Sequence, residues 1–162
     1  MAPETTPAKT PAAETDVARA ADLLGGQRWL AAGVLDDPLA LHDQLDQGLP
    51  TSALKHFARH CPLLANDPAF DRILGAVPAP REGPRGGRPR RLSCHESGQL
   101  WRLAVVLAKT APLLGGAEAA ERWLVKPAIG LGGRRPLDLV ETPVGYELVV
   151  DHLTQLEFSV YV

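Results

Sequence analysis

The chain has 162 residues, 45% of them hydrophobic, and a formal net charge of −2 at pH 7. This length suffices for one good core or two small ones, and the charge argues against a wholly basic nucleic-acid-binding protein. No stretch approaches the roughly 18 apolar residues of a membrane span, and the start lacks the features of a signal peptide, so we expect a cytoplasmic protein without a membrane partner. The two scattered cysteines, Cys61 and Cys94, predict thiols and no disulfide framework.

The first half of the chain predicts short helices separated by glycine and proline. Residues 1 to about 15 contain three prolines and no large apolar side chain after the initiator methionine, which predicts a disordered tail. Asp16 is expected to cap a helix that Gly25 and Gly26 interrupt. A further helix is predicted to begin at Asp37–Pro38 and to end at Gly48–Pro50.

A third helix is predicted from Thr51, where apolar residues recur at helical spacing until Pro62 stops the helix. A short helix around Ala69 to Leu74 follows. Four prolines and three glycines then fill the stretch 77–91, which predicts a loop or linker.

The same loop is strongly basic, with five arginines against one glutamate: Arg81, Arg85, Arg88, Arg90 and Arg91. Such a density of positive charge suits contacts with the phosphates of DNA. A solvated flexible loop is about as well supported by the sequence.

The second half predicts a long helix that starts at a capping box, Ser93 to Glu96, and ends at Gly115–Gly116, with Pro112 in its last turn. A short amphipathic helix carrying Trp123 follows, and Pro127 ends it. Trp123 is most simply a core anchor, with a direct partner contact as the alternative.

A glycine-rich loop and a final helix complete the chain. The loop runs from Gly130 to Gly133 and is followed by Arg134 and Arg135, which precede a short helix opened by Pro136. Cations are not favoured at the start of a helix, so either a partner's anionic surface or plain solvation accounts for the two arginines.

The final helix is predicted to start at Thr142–Pro143 and to carry one apolar stripe, formed by Leu148, Val149, Leu153 and Leu156. The terminal segment from Phe158 to Val162 is apolar and β-prone, so we expect it to fold back on the core or to occupy a groove on another chain. No convincing period-2 strand pattern is present in the chain. The sequence therefore predicts an all-α fold.

Motifs for chemistry are weak. His56 and His60 lie four residues apart, as two metal ligands on a helix would, but a third ligand at a suitable spacing is missing. The glycines of 130–133 follow a helix rather than a strand and lack the lysine of a phosphate-binding loop. Ser93 is explained by capping rather than by nucleophilic catalysis. We therefore expect no enzyme, no cofactor and no metal.

Several motifs occur together in one order: W-L at 123–124, P-x-x-x-L-G-G-R-x-P-L-D-L at 127–139, T-x-x-G at 142–145, and V-x-x-x-L at the final helix. This order resembles the toxin-binding domain of the Xre/MbcA/ParS antitoxin family. Gly48–Pro50 and 91–97 look like the degenerate helix-turn-helix region of that family. The resemblance implies a disordered tail at 1–15, a helical, helix-turn-helix-like region at 16–92 with the arginine-rich loop at 78–91, and a small helical toxin-binding domain at 93–162.

The resemblance further implies an antitoxin of a type II toxin–antitoxin pair that occludes the active site of a RES-domain toxin, a consumer of NAD+. The implied toxin-binding residues are Arg134, Arg135, Tyr146, Phe158, Tyr161 and Val162. The arginine-rich loop would bind operator DNA for autorepression, and the protein would form a homo-oligomer or a hetero-oligomer with its toxin. The alternatives are a DNA-binding repressor whose C-terminal domain only dimerises, and an antitoxin or immunity partner of an ADP-ribosyltransferase-like toxin.

Overall fold

The computed structural model describes residues 11–75 and 90–160, apart from the side chains of residues 11–15 and Val160. Its α-helices are α1 (Pro11–Leu23), α2 (Pro38–Asp46), α3 (Thr51–His60), α4 (Pro62–Ala65), α5 (Pro68–Leu74), α6 (Cys94–Leu114), α7 (Ala117–Leu124), α8 (Pro136–Leu139) and α9 (Pro143–Val160). Within these ranges the extended pairing consists of two isolated bridges. The predicted all-α fold is confirmed.

The helices begin where the sequence offers a side-chain cap. The Asp37 carboxylate accepts a hydrogen bond from the Leu39 N–H at 2.9 Å, with Pro38 in the first turn of α2. Ser93 and Glu96 form the predicted capping box at the start of α6. These helix starts are determined by a few neighbouring residues, so the sequence alone was enough to predict them.

The first helix differs from the expectation. The sequence predicts a cap at Asp16, whereas α1 already begins at Pro11. Proline is well suited to the first turn of a helix, and the alanines that follow it are the strongest helix formers. Asp16 instead lies inside α1, where its carboxylate pairs with Arg19 at 3.1 Å. Residues 1–10 of the predicted disordered tail lie outside the described residues.

Helix α6 is the centre of the packing. It contacts α1, α2, α5, α7 and α9, and Leu100, Leu103 and Val106 on it are fully buried. One cluster of buried residues extends from Ala20 on α1 to Leu153 on α9. The hydrophobic core therefore includes side chains from both sides of the predicted boundary at 92/93.

The two upstream motifs that resemble the helix-turn-helix region meet in space. The Leu92 N–H donates to the Leu49 carbonyl at 2.8 Å, and the Leu49 N–H donates to the Ser97 hydroxyl, also at 2.8 Å. Gly48 has a φ of 88°, and a Cβ at this position would collide with the Leu92 carbonyl oxygen. This close approach of two backbones explains why glycine occupies position 48.

In residues 11–75 and 90–160, no single helix has both the length and the apolar character needed to cross a membrane. Only α6 and α7 taken together pass that test, and the chain bends by 115° between them.

Glu121 on α7 is buried and caps a helix from another part of the chain. Its carboxylate accepts hydrogen bonds from the Leu63 and Leu64 N–H groups at 2.9 and 3.2 Å, at the start of α4. Burial raises the pKa of Glu121, and these two hydrogen bonds oppose the rise without cancelling it. The folded protein therefore binds the Glu121 proton more tightly than the unfolded chain does.

This linkage predicts a pH dependence of stability. The contribution of Glu121 is present in full below its ordinary pKa near 4.5 and is lost as the pH rises through the higher pKa of the folded state. Urea unfolding measures the free energy of unfolding of the wild type and of Glu121→Gln at a series of pH values. As the pH rises from 4.5, this free energy should fall less in Glu121→Gln than in the wild type. Glu147→Gln, which replaces an exposed glutamate on α9, is the control. An unchanged slope in Glu121→Gln would contradict the prediction.

Candidate functional site

The loop between α7 and α8 is closed on itself. The Ala128 N–H donates to the Arg134 carbonyl and the Gly133 N–H donates to the Ala128 carbonyl, both at 3.0 Å. Gly132 and Gly133 have φ values of 64° and 72°, which glycine adopts readily. A short 3-10 turn at Ile129–Leu131 forms the tip of this loop, hereafter the 128–134 loop.

The tip presents an apolar side chain to solvent. Ile129 is 97% exposed, the largest exposure among the large hydrophobic residues that the structure describes. Ile129 contributes little to the stability of the fold, because an apolar side chain stabilises a protein by being buried. Exposed apolar residues become informative when they lie beside one another on the surface.

Helix α9 continues the apolar surface next to the loop. Val144, Leu148 and Phe158 are 68%, 52% and 68% exposed, and their spacing places them on one side of the helix. Val149 and Leu153, on the other side, are fully buried. We call Ile129, Val144, Leu148 and Phe158 together the exposed apolar surface.

A groove of about 380 Å³ separates the 128–134 loop from α9. Its lining includes Leu131 and Leu148 together with the polar residues Arg134, Asp151 and His152. A groove with apolar walls and a few polar groups can accept a side chain of a binding partner.

One wall of the groove depends on close packing around His152. The His152 ring stacks on Trp123 with a centroid distance of 6.1 Å and an angle of 8° between the planes. The ring also lies so near Gly130 that a Cβ at this glycine would overlap with it. Trp123 is half-buried rather than fully buried, so it supports this wall in addition to packing against the core.

The structure places the predicted toxin-binding residues in different environments. Arg134 and Phe158 are exposed and lie on or beside the exposed apolar surface. Arg135 instead forms an ion pair with Asp67 at 2.8 Å, an alternative that the sequence did not suggest. Tyr146 packs half-buried against the core, with the Arg102 guanidinium 6.0 Å from its ring centre.

The described part of the terminal segment is helical. Phe158 and Ser159 belong to α9, which continues to Val160, so this stretch is helical rather than extended. The Ser159 hydroxyl donates to the Gln155 carbonyl at 2.8 Å, one turn earlier in the same helix. Tyr161 and Val162, two predicted site residues, lie outside the described residues.

Sequence reasoning missed Ile129 and Val144 and assigned Leu148 to the buried stripe. The signal for Leu148 was present, because its position falls with Val144 and Phe158 on a second side of the helix. The outer side of α9 thus exposes apolar side chains at Val144, Leu148 and Phe158, with the polar residues Asp151 and Gln155 between the last two.

Most of the predicted DNA-binding residues cannot be placed. Arg81, Arg85 and Arg88 lie outside the described residues. Arg90 is exposed, and the Arg91 guanidinium donates to the Gly48 carbonyl at 2.6 Å. Arg91 thus takes part in the contact between the two upstream motifs, and DNA binding by this loop stays a prediction.

The rings of His56 and His60 contact backbone carbonyl groups and each other. Nδ1 of His56 lies 3.1 Å from the Leu23 carbonyl oxygen, and Nδ1 of His60 lies 2.8 Å from the His56 carbonyl oxygen. The two rings stack with their centroids 4.2 Å apart. No group of three or more His, Cys, Asp or Glu side chains within 11–75 and 90–160 is arranged to hold a metal ion.

The structure places a closed loop beside a helix face that exposes several apolar side chains. Residues 110–158 match the family model of the antitoxin Xre/MbcA/ParS C-terminal toxin-binding domain. The match contains the 128–134 loop and the exposed face of α9. A search of curated proteins found no match to the chain.

Proposed function

We propose that the chain is the antitoxin of a type II toxin–antitoxin pair and that it neutralises a RES-domain toxin, which consumes NAD+. The observation that carries the proposal is Ile129, exposed at the tip of a hydrogen-bonded loop inside the segment that matches the toxin-binding domain. Apolar side chains held on a rigid loop lose little conformational entropy on binding, which favours a stable complex.

Neutralisation would occur by occlusion. The exposed apolar surface and Arg134 would cover the substrate cleft of the toxin, so that NAD+ cannot enter. This mechanism needs no catalytic group, no cofactor and no metal from the antitoxin. The proposed location is the cytoplasm, because a toxin that consumes NAD+ would act where NAD+ is present.

The proposal is tested by purifying the chain with the product of the neighbouring gene. We expect a stable complex and a loss of NAD+ consumption that is complete at stoichiometric antitoxin. A stable complex that still consumes NAD+ would contradict occlusion. A partner with ADP-ribosyltransferase activity, or binding to operator DNA without any protein partner, would favour one of the two alternative functions.

Autorepression is a separate proposal that rests on the five arginines of the 78–91 loop. It requires phosphate contacts, whose loss at higher salt would be visible as a steep decrease in operator affinity. Toxin neutralisation does not depend on it, because these arginines lie outside the segment 110–158.

A further inference from the structure

Arg135 follows the 128–134 loop directly and connects it to the upstream half of the chain. Its Nη2 lies 2.8 Å from Oδ2 of Asp67, a residue 68 positions earlier. Oδ1 of the same carboxylate accepts a hydrogen bond from the Ala69 N–H at 2.9 Å and thereby caps α5. Both oxygens of Asp67 are therefore used, one by its own helix and one by the loop.

A second arginine strengthens this connection. Arg72 on α5 donates to Oδ1 of Asp138 on α8 at 3.0 Å, and Nε of Arg135 lies 3.5 Å from Oδ2 of Asp138. The two arginines and two aspartates alternate in a chain across α5 and α8. The planar guanidinium of Arg135 fits this arrangement better than a lysine would, because it can face two carboxylates at once.

The charge of Asp67 is favoured by the same contacts. Burial acts to raise the pKa of Asp67, but the hydrogen bonds from Arg135 and from the Ala69 N–H, together with the charges of Arg135 and Arg72, leave the pKa below its usual value. Asp67 is mostly buried, with 14% of its side chain accessible, so solvent screens the pair less than an ion pair on the open surface.

The pair acts on the loop through the backbone. The loop is closed between Ala128 and Arg134, so whatever fixes Arg135 also fixes the downstream end of that closure. The upstream end is held by α7, where Leu124 is fully buried. With both ends fixed, the tip at Ile129 and the side chain of Arg134 keep one direction relative to α9.

We infer that Asp67 and Arg135 are positioning residues for toxin binding: their ion pair fixes the direction in which the 128–134 loop presents Ile129 and Arg134. Helix α5 therefore belongs to the toxin-binding unit, although it lies upstream of the segment 110–158. The inference rests on the proposed function. Arg135 contributes to binding through the loop rather than through direct contact with the toxin.

The test is a double-mutant cycle in the full chain with Asp67→Asn, Arg135→Gln and the double variant. The Asp67→Asn side chain keeps an oxygen that can cap α5, so the change mainly removes the ion pair. Toxin affinity is measured well below the lowest melting temperature, and hydrogen exchange is followed at the Gly132 and Gly133 amides, which are bonded inside the loop. Arg122→Gln, which breaks the exposed pair with Glu118 on α7, is the matched control.

We expect each single variant to bind the toxin about tenfold more weakly and to exchange the two loop amides faster, with the double variant no worse than either. Arg122→Gln should change neither quantity. Wild-type affinity with wild-type exchange would overturn the inference, as would fully additive losses. Ile129→Asp separates the two proposals. If Ile129→Asp, Asp67→Asn and Arg135→Gln all bind the toxin normally, the proposed binding surface is wrong. If Ile129→Asp fails to bind while Asp67→Asn and Arg135→Gln bind normally, only the positioning role is wrong.

Discussion

Replacing Leu148 by aspartate is expected to weaken toxin binding at least about 100-fold, which corresponds to roughly 2.7 kcal/mol. Leu148 belongs to the exposed apolar surface and lines the groove beside the 128–134 loop. In a complex this side chain would be desolvated, and burying a charged carboxylate in its place costs far more than burying leucine. Binding is measured by titrating the toxin with each variant.

The fold should tolerate this change, because Leu148 is about half exposed in the free protein. Leu39→Asp on α2 is the matched control, since Leu39 is 74% exposed and lies outside the segment 110–158. It should bind the toxin as the wild type does. Equal affinities for both variants would show that the toxin binds elsewhere.

Leu103→Ala should lower the free energy of unfolding by about 3 to 4 kcal/mol. Leu103 is fully buried on α6, which packs against helices from both halves of the chain. Removing its side chain leaves a cavity that the neighbouring helices cannot close without losing contacts. Leu114→Ala, at the exposed end of the same helix, should cost less than about 1 kcal/mol.

The same experiment examines whether the two halves unfold together. Trp29 lies upstream and Trp123 lies downstream of the predicted boundary at 92/93, and both pack against the common core. Tryptophan fluorescence and far-UV circular dichroism should therefore report a single coincident transition in urea. A loss below about 1 kcal/mol for Leu103→Ala, or two separate transitions, would contradict the common core.

The sequence was sufficient where structure depends on neighbouring residues. The caps at Asp37 and Ser93 and the stop at Pro127 follow from local hydrogen bonding and sterics, and the structure has helix ends at these places. The order of motifs in the last third identified the toxin-binding domain, and the match at 110–158 confirms it.

The sequence was insufficient where a residue depends on a distant partner. The residues around Arg135 do not indicate its ion pair with Asp67, because the packing of α5 against α8 brings the two together. In the same way, the residues around Glu121 do not indicate that it caps α4, because the packing of α4 against α7 creates that contact. The end of α9 was misjudged for a related reason. The apolar residues around Phe158 favour strands in isolation, whereas here they extend a helix that its buried face already stabilises.

The location of the toxin-binding surface can be measured directly by cysteine labelling. Cys61 is not expected to react with the label, because its side chain is buried. This burial, together with the charge of Glu121, also raises the pKa of the Cys61 thiol to about 12. Cys94 is exposed and would be replaced by serine. Ile129→Cys and Leu39→Cys are then made separately in this background.

The rate of maleimide labelling is measured for each thiol in the free antitoxin and in its complex with the toxin. If the exposed apolar surface covers the cleft of the toxin, labelling at position 129 should slow at least about tenfold in the complex, while labelling at position 39 should be unchanged. Equal labelling of position 129 in the free and bound states would contradict the account.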